Sequence, residues 1–108
     1  MASDKIIHLD TASFDNVVST TPLLVVDLWA PWCGPCKALG PVLDQIAEEL
    51  GDTVKIAKVN VDDSRDLAQR YSVTAIPTFL FFKGGVLAET LVGAQPKATY
   101  LAAIKKLQ

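Results

Sequence analysis

The sequence LLVVDLWAPWCGPCKALGPVL, residues 23–43, decides the fold of this chain. It begins with a run, 23–29, that is apolar apart from Asp27, which is typical of a strand covered on both faces. Two cysteines follow shortly after, and apolar residues then recur three and four positions apart as far as Leu50. The segment therefore predicts a buried strand, a cysteine pair beyond its end and a helix that begins at the pair.

The helix after the cysteines carries two further signals. Pro41 lies inside its apolar pattern, and because proline lacks an amide donor we expect a kink there. Gly51 follows the last apolar position and predicts the end of the helix. The segment thus predicts one long, kinked amphipathic helix that packs against the sheet.

The remaining elements follow from the same alternation of strand and helix periodicity. Lys83-Gly84-Gly85 separates two apolar runs and predicts a hairpin. The order β-α-β-α-β-α-β-β-α predicts an α/β fold, with a central mixed five-stranded sheet flanked by four helices. Because the sequence shows no linker, repeat or low-complexity stretch, we expect a single domain over residues 1–108. The other predicted strands are 5–9, 54–61, 77–82 and 86–91, and the other helices begin near Thr11, span 64–71 and begin at Lys97.

The composition excludes several classes of function. Of the 108 residues, 50% are hydrophobic and 20% are charged, which is typical of a globular protein. With a net charge of −2 and scattered basic residues, we expect no binding to nucleic acid. No segment approaches the roughly 20 apolar residues that cross a bilayer, and the N-terminus lacks the apolar run of a secretory signal. We therefore expect no membrane partner and a cytoplasmic location.

The two cysteines, Cys33 and Cys36, lie three positions apart. A disulfide that closes so short a loop removes little chain entropy, so a structural role explains the pair poorly. The beginning of a helix stabilises negative charge, which lowers the pKa of a thiol there and favours the reactive thiolate. Pro35 suits the first turn of a helix, and the spacing places Cys36 one turn after Cys33. We therefore expect thiol–disulfide exchange, with Cys33 exposed and attacking and Cys36 more buried and resolving.

Two other interpretations of the cysteine pair are a zinc site and two inert buried thiols. Structural zinc usually takes four Cys or His ligands, whereas this chain offers two cysteines and the single, distant His8. Inert buried thiols would require neither the beginning of a helix nor this spacing. We therefore predict no metal site, and we interpret His8 as a surface or packing residue.

Asp27 interrupts the apolar strand that precedes the cysteines. A carboxyl buried there would have a raised pKa, because desolvation disfavours its charged form. The alternative is a residue at a sheet edge or bulge that reaches solvent, since aspartate is rarely fully buried. Lys58 is the candidate cation beside Asp27, although a lysine there can equally extend outward into solvent. Of the two tryptophans that bracket the motif, we expect Trp32 to be exposed and Trp29 to lie in the core.

The stretch VDLWAPWCGPCK, residues 26–37, with Pro41 after it, closely resembles the active-site region of the thioredoxin family. The resemblance extends over essentially the whole chain and includes Lys58 and Asp62. It also includes Ala75-Ile76-Pro77-Thr78 and Val92-Gly93. The combination is far more specific than a lone pair of cysteines, and it implies the thioredoxin fold and protein-disulfide reductase activity.

The resemblance also implies roles for individual residues. Cys33 would be the nucleophile and Cys36 the resolving thiol. Asp27 would be the buried acid that assists proton transfer at Cys36, with Lys58 nearby, and Pro77 would be a cis proline that faces the disulfide. The implied substrate surface comprises Trp32, Gly34, Pro35, Ala75, Ile76, Pro77, Val92 and Gly93.

Finally, the resemblance implies partners. The chain would need no bound cofactor besides its redox-active disulfide, and a thioredoxin reductase would recharge it with electrons from NADPH. Its clients would be disulfide-containing proteins such as ribonucleotide reductase and methionine sulfoxide reductase, and it would act as a monomer in electron transport and cell redox homeostasis. Oxidase or isomerase domains are one alternative, but Gly34-Pro35 between the cysteines resembles the reducing members. The other alternative is a non-catalytic interaction module whose cysteines are incidental.

Overall fold

The computed structural model describes residues 3–108. Its five strands form one sheet at the centre of the fold. Met1 and Ala2, with which the predicted domain and the N-terminal segment begin, lie outside the described residues. The order across the sheet is β1-β3-β2-β4-β5. Strand β3 is parallel to β1 and β2, whereas β4 is antiparallel to β2 and β5, so the predicted mixed sheet is confirmed. The strands are β1 (Ile6–Leu9), β2 (Leu23–Trp29), β3 (Lys55–Asn60), β4 (Thr78–Lys83) and β5 (Val86–Val92).

The helices flank this sheet, and two of them are segments of one kinked helix. Only Leu39 separates α2 from α3, and Pro41 lies in the first turn of α3. Because Pro41 has no N–H to donate to the carbonyl of Lys37, the helical hydrogen bonds are interrupted just before it. Gly51 ends α3 with a φ of 56°, as predicted, and with α2 and α3 counted together the predicted four helices are confirmed. The helices are α1 (Thr11–Thr20), α2 (Gly34–Ala38), α3 (Gly40–Leu50), α4 (Arg65–Arg70) and α5 (Lys97–Leu107).

Strand β2 lies in the middle of the sheet and is buried on both faces. None of residues 24–28 is more than 2% exposed. On one face Val25 packs with Phe79 and with residues of α3 and α5, and on the other face Val26 packs with residues of α1 and α4. This double covering explains why the strand is a continuous apolar run. Since side chains alternate along a strand, Asp27 shares the face of Val25 and lies on the side of the sheet that α3 and α5 cover.

The hairpin between β4 and β5 turns at Gly84-Gly85, as predicted. These glycines have φ values of 57° and 82°, the left-handed conformation that a two-residue type I′ turn needs at both positions. Strand β4 begins at Thr78, one residue later than expected, and Pro77 directly precedes it. The N–H of Gly93 donates to the carbonyl of Pro77 at 2.7 Å, so the hairpin brings the end of β5 back to the beginning of β4.

Candidate active site

Cys33 and Cys36 lie where the chain passes from β2 into α2, and they form a disulfide with their Cα atoms 5.3 Å apart. Cys33 is the N-cap residue of α2, and its Sγ accepts a hydrogen bond from the backbone N–H of Cys36 at 3.2 Å. Pro35 lies in the first turn of α2, as predicted. An N–H directed at Sγ stabilises negative charge on that sulfur. The arrangement therefore favours a thiolate at Cys33 when the disulfide is reduced.

Cys33 is more covered than expected, whereas Cys36 is buried as expected. Cys33 is 6% exposed and Cys36 is 2% exposed. The predicted order of burial is right, but the expectation that Cys33 is an exposed residue is wrong. The cover comes from neighbours that pack against the two cysteines, among them Trp29, Val61 and Ile76. These residues therefore border the only sulfur atoms of cysteine in the chain.

The segment before β4 lies against Cys33. The carbonyl oxygen of Ile76 is 3.9 Å from the Sγ of Cys33. The bond between Ile76 and Pro77 is cis, as the resemblance implies. Val92, next to the Gly93 that holds the carbonyl of Pro77, is 56% exposed. The structure thus places Ile76 beside the disulfide and joins the end of β5 to the segment that contains Ile76.

Trp32 projects from the loop before Cys33 and is 69% exposed, which confirms it as the exposed tryptophan. Its indole Nε1 donates to Oδ2 of Asp62 at 3.0 Å, so the ring is held in place. A cavity of about 150 Å³ lies beside the ring, between Ala68, Val73 and Ile76. Its walls are mostly apolar, and Ile76 on one side also packs against the cysteines.

Gly34, Pro35 and Ala75 are exposed, as expected for a surface, whereas Pro77, which was also expected on the surface, is buried. A Cβ atom added to Gly34 would meet nothing within 4 Å, so no part of the described chain approaches this glycine closely.

Asp27 is buried and 1% exposed. Neither of its carboxyl oxygens has a hydrogen-bond partner within residues 3–108. Burial raises the pKa of this carboxyl to about 7, and the charge of Lys58 acts in the opposite direction. The alternative of an edge or bulge residue that reaches solvent is therefore wrong. A carboxyl with this pKa takes up and releases a proton near neutral pH, as a general acid or base must.

Lys58 is the register partner of Asp27 on the neighbouring strand β3. The part of the chain that the structure describes contains no ion pair between the two. The ammonium of Lys58 lies 5.3 Å from the centroid of the Trp29 ring, and the side chain borders a cavity of about 220 Å³ that His8 and Asn60 also line. Lys58 is therefore half-buried rather than extended freely into solvent, and it acts on Asp27 through space.

Asp62 and Thr78 make contacts that could not be predicted from the sequence. Asp62 holds the indole of Trp32, and the hydroxyl of Thr78 donates to the carbonyl oxygen of Ala75 at 2.5 Å. Both residues belong to the resemblance to the thioredoxin family, but the resemblance implies no role for either of them. The signal at Thr78 was its hydroxyl at the start of the apolar run 79–82, where a polar group needs a partner.

The described residues give two further findings. Within residues 3–108, no three side chains of His, Cys, Asp or Glu are grouped so as to hold a metal ion. That part of the chain also contains no helix long and apolar enough to cross a membrane. His8 is exposed on the edge strand β1, in register with Lys58.

Residues 5–106 match the sequence model of the Thioredoxin family. One similar protein is the chloroplastic M-type thioredoxin of Chlamydomonas reinhardtii, 49% identical over 96 residues that cover 87% of this chain and 68% of the relative. Another is the thioredoxin of Haemophilus influenzae, 45% identical over 94 residues that cover 86% of this chain and 88% of the relative.

Solved structures give the same result for the fold. Mitochondrial thioredoxin 3 from Saccharomyces cerevisiae, in its oxidised form, matches with a TM-score of 0.87 and 37% identity, over 94% of this chain and 95% of that one. A second match comes from a structure on the thiol resolving mechanism of yeast mitochondrial 1-Cys peroxiredoxin via glutathione/thioredoxin systems. Its TM-score is 0.89 at 34% identity, over 99% of this chain and 100% of that one.

The structural matches confirm the predicted thioredoxin fold. The family model matches almost the whole length of the chain, and Cys33 and Cys36 form a disulfide. Together these findings identify the chemistry as exchange between a dithiol and a disulfide. The activity is that of a protein-disulfide reductase, with Cys33–Cys36 as its redox-active centre. The chain belongs to the thioredoxin family of dithiol–disulfide oxidoreductases.

Proposed function

We propose that the chain reduces client disulfides with Cys33 as the nucleophile and Cys36 as the resolving thiol. The observation that carries this assignment is the hydrogen bond from the N–H of Cys36 to the Sγ of Cys33. This donor favours negative charge on Cys33, and a thiolate is the attacking species in thiol–disulfide exchange. The greater burial of Cys36 supports the same division of roles, because a covered thiol reacts with its neighbour more readily than with a client.

The proposed reaction has two exchange steps. The Cys33 thiolate attacks one sulfur of the client disulfide, a mixed disulfide forms, and the other client sulfur leaves and takes up a proton. Cys36 then loses its proton and attacks the Sγ of Cys33, and the remaining client sulfur leaves as a thiolate. The client gains two electrons, and the cysteine pair returns to the disulfide.

Asp27 is the proposed acceptor of the proton that Cys36 loses. It lies on the face of β2 that the kinked helix covers, and its carboxyl has no hydrogen-bond partner in residues 3–108 to compete for the proton. A pKa of about 7 means that much of the group is a base at neutral pH. Lys58 is the proposed positioning charge that keeps this pKa from rising further.

Replacement of Lys58 tests the electrostatic part of this proposal. We expect Lys58→Met to raise the pKa of Asp27 above 7, because the opposing positive charge is lost and burial remains. The pKa is measured from the carboxyl carbon of Asp27 by NMR titration. Lys55→Met, on the exposed end of the same strand, is the matched control and should leave the pKa unchanged. A pKa of Asp27 that stays the same or falls in Lys58→Met would show that Lys58 does not act on it.

The proposed client surface surrounds Cys33. The backbone of Ala75 and Ile76 can pair with an extended client segment by β-augmentation, next to the sulfur that attacks. The cavity beside Trp32 then accepts an apolar side chain of the client. Gly34, Pro35, Val92 and Gly93 complete the proposed surface, and the buried Pro77 contributes the cis bond that follows Ile76.

The proposed partners are a thioredoxin reductase that supplies electrons from NADPH, and clients such as ribonucleotide reductase and methionine sulfoxide reductase. Family membership supports the general roles of reductase and client. The structural match on the peroxiredoxin mechanism supports thiol peroxidases as a further client class. We propose one domain over residues 1–108 and a monomer. We propose a cytoplasmic location. The chloroplastic relative makes a plastid location the alternative.

An insulin-reduction assay tests the proposed activity. With dithiothreitol as the electron source, the protein should accelerate the precipitation of the insulin B chain severalfold over dithiothreitol alone. An interaction module with incidental cysteines would give no acceleration. The same assay with protein alkylated at its cysteines provides the matched blank.

A further inference from the structure

Thr78 has one of the few buried polar side chains in the described chain, and it follows Pro77 directly. The residue is 3% exposed, and its hydroxyl donates to the carbonyl oxygen of Ala75 at 2.5 Å. A buried hydroxyl needs a partner, and here the partner lies three residues earlier in the chain. The hydrogen bond therefore spans the segment that contacts Cys33.

The sheet holds Thr78 itself firmly. Thr78 is in register with Leu28 of β2 on one side and with Val92 of β5 on the other. The N–H of Gly93 fixes the carbonyl of Pro77 at 2.7 Å. The hydroxyl of Thr78 thus ties the preceding residues to a backbone that is anchored on both sides.

Ile76 lies between these two attachments. Its carbonyl oxygen is 3.9 Å from the Sγ of Cys33, and its N–H donates to no other group within residues 3–108. An unpaired N–H beside the reacting sulfur is available to an extended client segment. The orientation of this N–H depends on the peptide plane that it shares with the Ala75 carbonyl, because the two groups belong to one planar unit.

We propose that Thr78 is a positioning residue for client binding: its hydroxyl fixes the Ala75–Ile76 peptide plane so that the Ile76 N–H points outward to the client. The proposal rests on the proposed reductase function and adds to it the group that orients the docking backbone. A preorganised docking strand costs less to order when the client binds. The hydroxyl should therefore affect the KM for protein clients and leave the exchange chemistry of the cysteine pair unchanged.

The test compares Thr78→Val, which keeps the shape and removes the donor, with Thr78→Ser, which keeps the donor. We expect Thr78→Val to raise the KM for insulin about 3- to 10-fold, the effect of one hydrogen bond, with kcat within twofold. Thr78→Ser should restore the wild-type KM. Reduction of dithiobis(nitrobenzoate), a small disulfide without a backbone to pair, should proceed at the same rate in all three proteins.

Several outcomes would overturn the proposal. An unchanged KM in Thr78→Val would do so, as would a raised KM in Thr78→Ser, because the hydroxyl would then not be the cause. An equal loss of rate with the small disulfide would show that the cysteine pair itself is disturbed. If Thr78→Val does not fold, Thr78→Ala is measured against Thr78→Ser by the same criteria. Wild-type protein that fails to reduce insulin would contradict the reductase function, whereas active wild-type protein with an unaffected Thr78→Val would contradict the role of Thr78 alone.

Discussion

Replacement of Cys33 by serine is expected to lower the rate of insulin reduction to that of dithiothreitol alone. A serine hydroxyl is not ionised near neutral pH and forms no disulfide, so neither exchange step can begin. The loss should amount to about a thousandfold or more in kcat/KM, as for other enzymes that lose their nucleophile. The fold should remain, because the two cysteines are only three positions apart and a disulfide between them removes little chain entropy.

Cys36→Ser is the matched control, since it removes the second thiol and leaves the first. Cys33 should then still attack the client, and the mixed disulfide should persist because no resolving thiol is present. A covalent adduct with insulin, released by dithiothreitol and visible by mass spectrometry, is expected for Cys36→Ser and not for Cys33→Ser. An adduct in Cys33→Ser alone would reverse the two roles.

Replacement of Asp27 by alanine is expected to stabilise the folded protein and to slow its reaction. In the unfolded chain, the Asp27 carboxyl has its ordinary pKa of 3.8. In the folded protein, its pKa is about 7. As pH rises between these values, the unfolded chain loses the proton first, so stability falls and the full loss is reached above pH 7. The pKa difference corresponds to on the order of 4 kcal/mol at pH 8.

Urea denaturation of the oxidised protein at pH 5 and pH 8 measures this effect. Asp27→Ala should be more stable than the wild type by about 2–4 kcal/mol at pH 8, after the cost of a small void. The gain in stability should be smaller at pH 5, because the buried carboxyl destabilises the wild-type protein less at that pH. Asp52→Ala, which removes an exposed carboxyl, is the control and should not change the pH dependence. Equal or lower stability of Asp27→Ala at pH 8 would contradict the conclusion that the Asp27 carboxyl is buried without a compensating partner.

The kinetic consequence of Asp27→Ala concerns the second exchange step. Without the carboxyl, the proposed acceptor of the Cys36 proton is lost, so we expect the mixed disulfide to resolve about 10²-fold more slowly near neutral pH, the usual effect of a general base. Stopped-flow measurement of client release follows this step directly. An unchanged rate of release would show that the proton leaves by another path.

The fold could be predicted because its decisive elements are local patterns. The double covering of β2 requires a continuous apolar run, and the turn between β4 and β5 requires two residues that tolerate positive φ, which Gly84-Gly85 provides. Pro41 and Gly51 likewise mark the kink and the end of the long helix. In each case the physical requirement is met by residues that are neighbours in the chain.

Features that depend on distant contacts could not be predicted from the residues alone. The burial of Cys33 depends in part on Ile76, which is 43 positions away in sequence. The apolar pattern left open whether Asp27 reaches solvent, and the sheet order resolved this by placing β2 in the middle. Thr78 was unassigned because its partner, the carbonyl of Ala75, is a backbone group without any sequence signature.

The reduction potential of the Cys33–Cys36 pair tests the proposed direction of electron flow most directly. It is measured by equilibrium with glutathione or dithiothreitol buffers, with the two redox states separated after acid quenching. A reducing centre should have a potential of about −270 mV, the value typical of thioredoxins in general. A potential of about −120 mV, as in strongly oxidising periplasmic enzymes, would contradict the reductase and make the chain an oxidant.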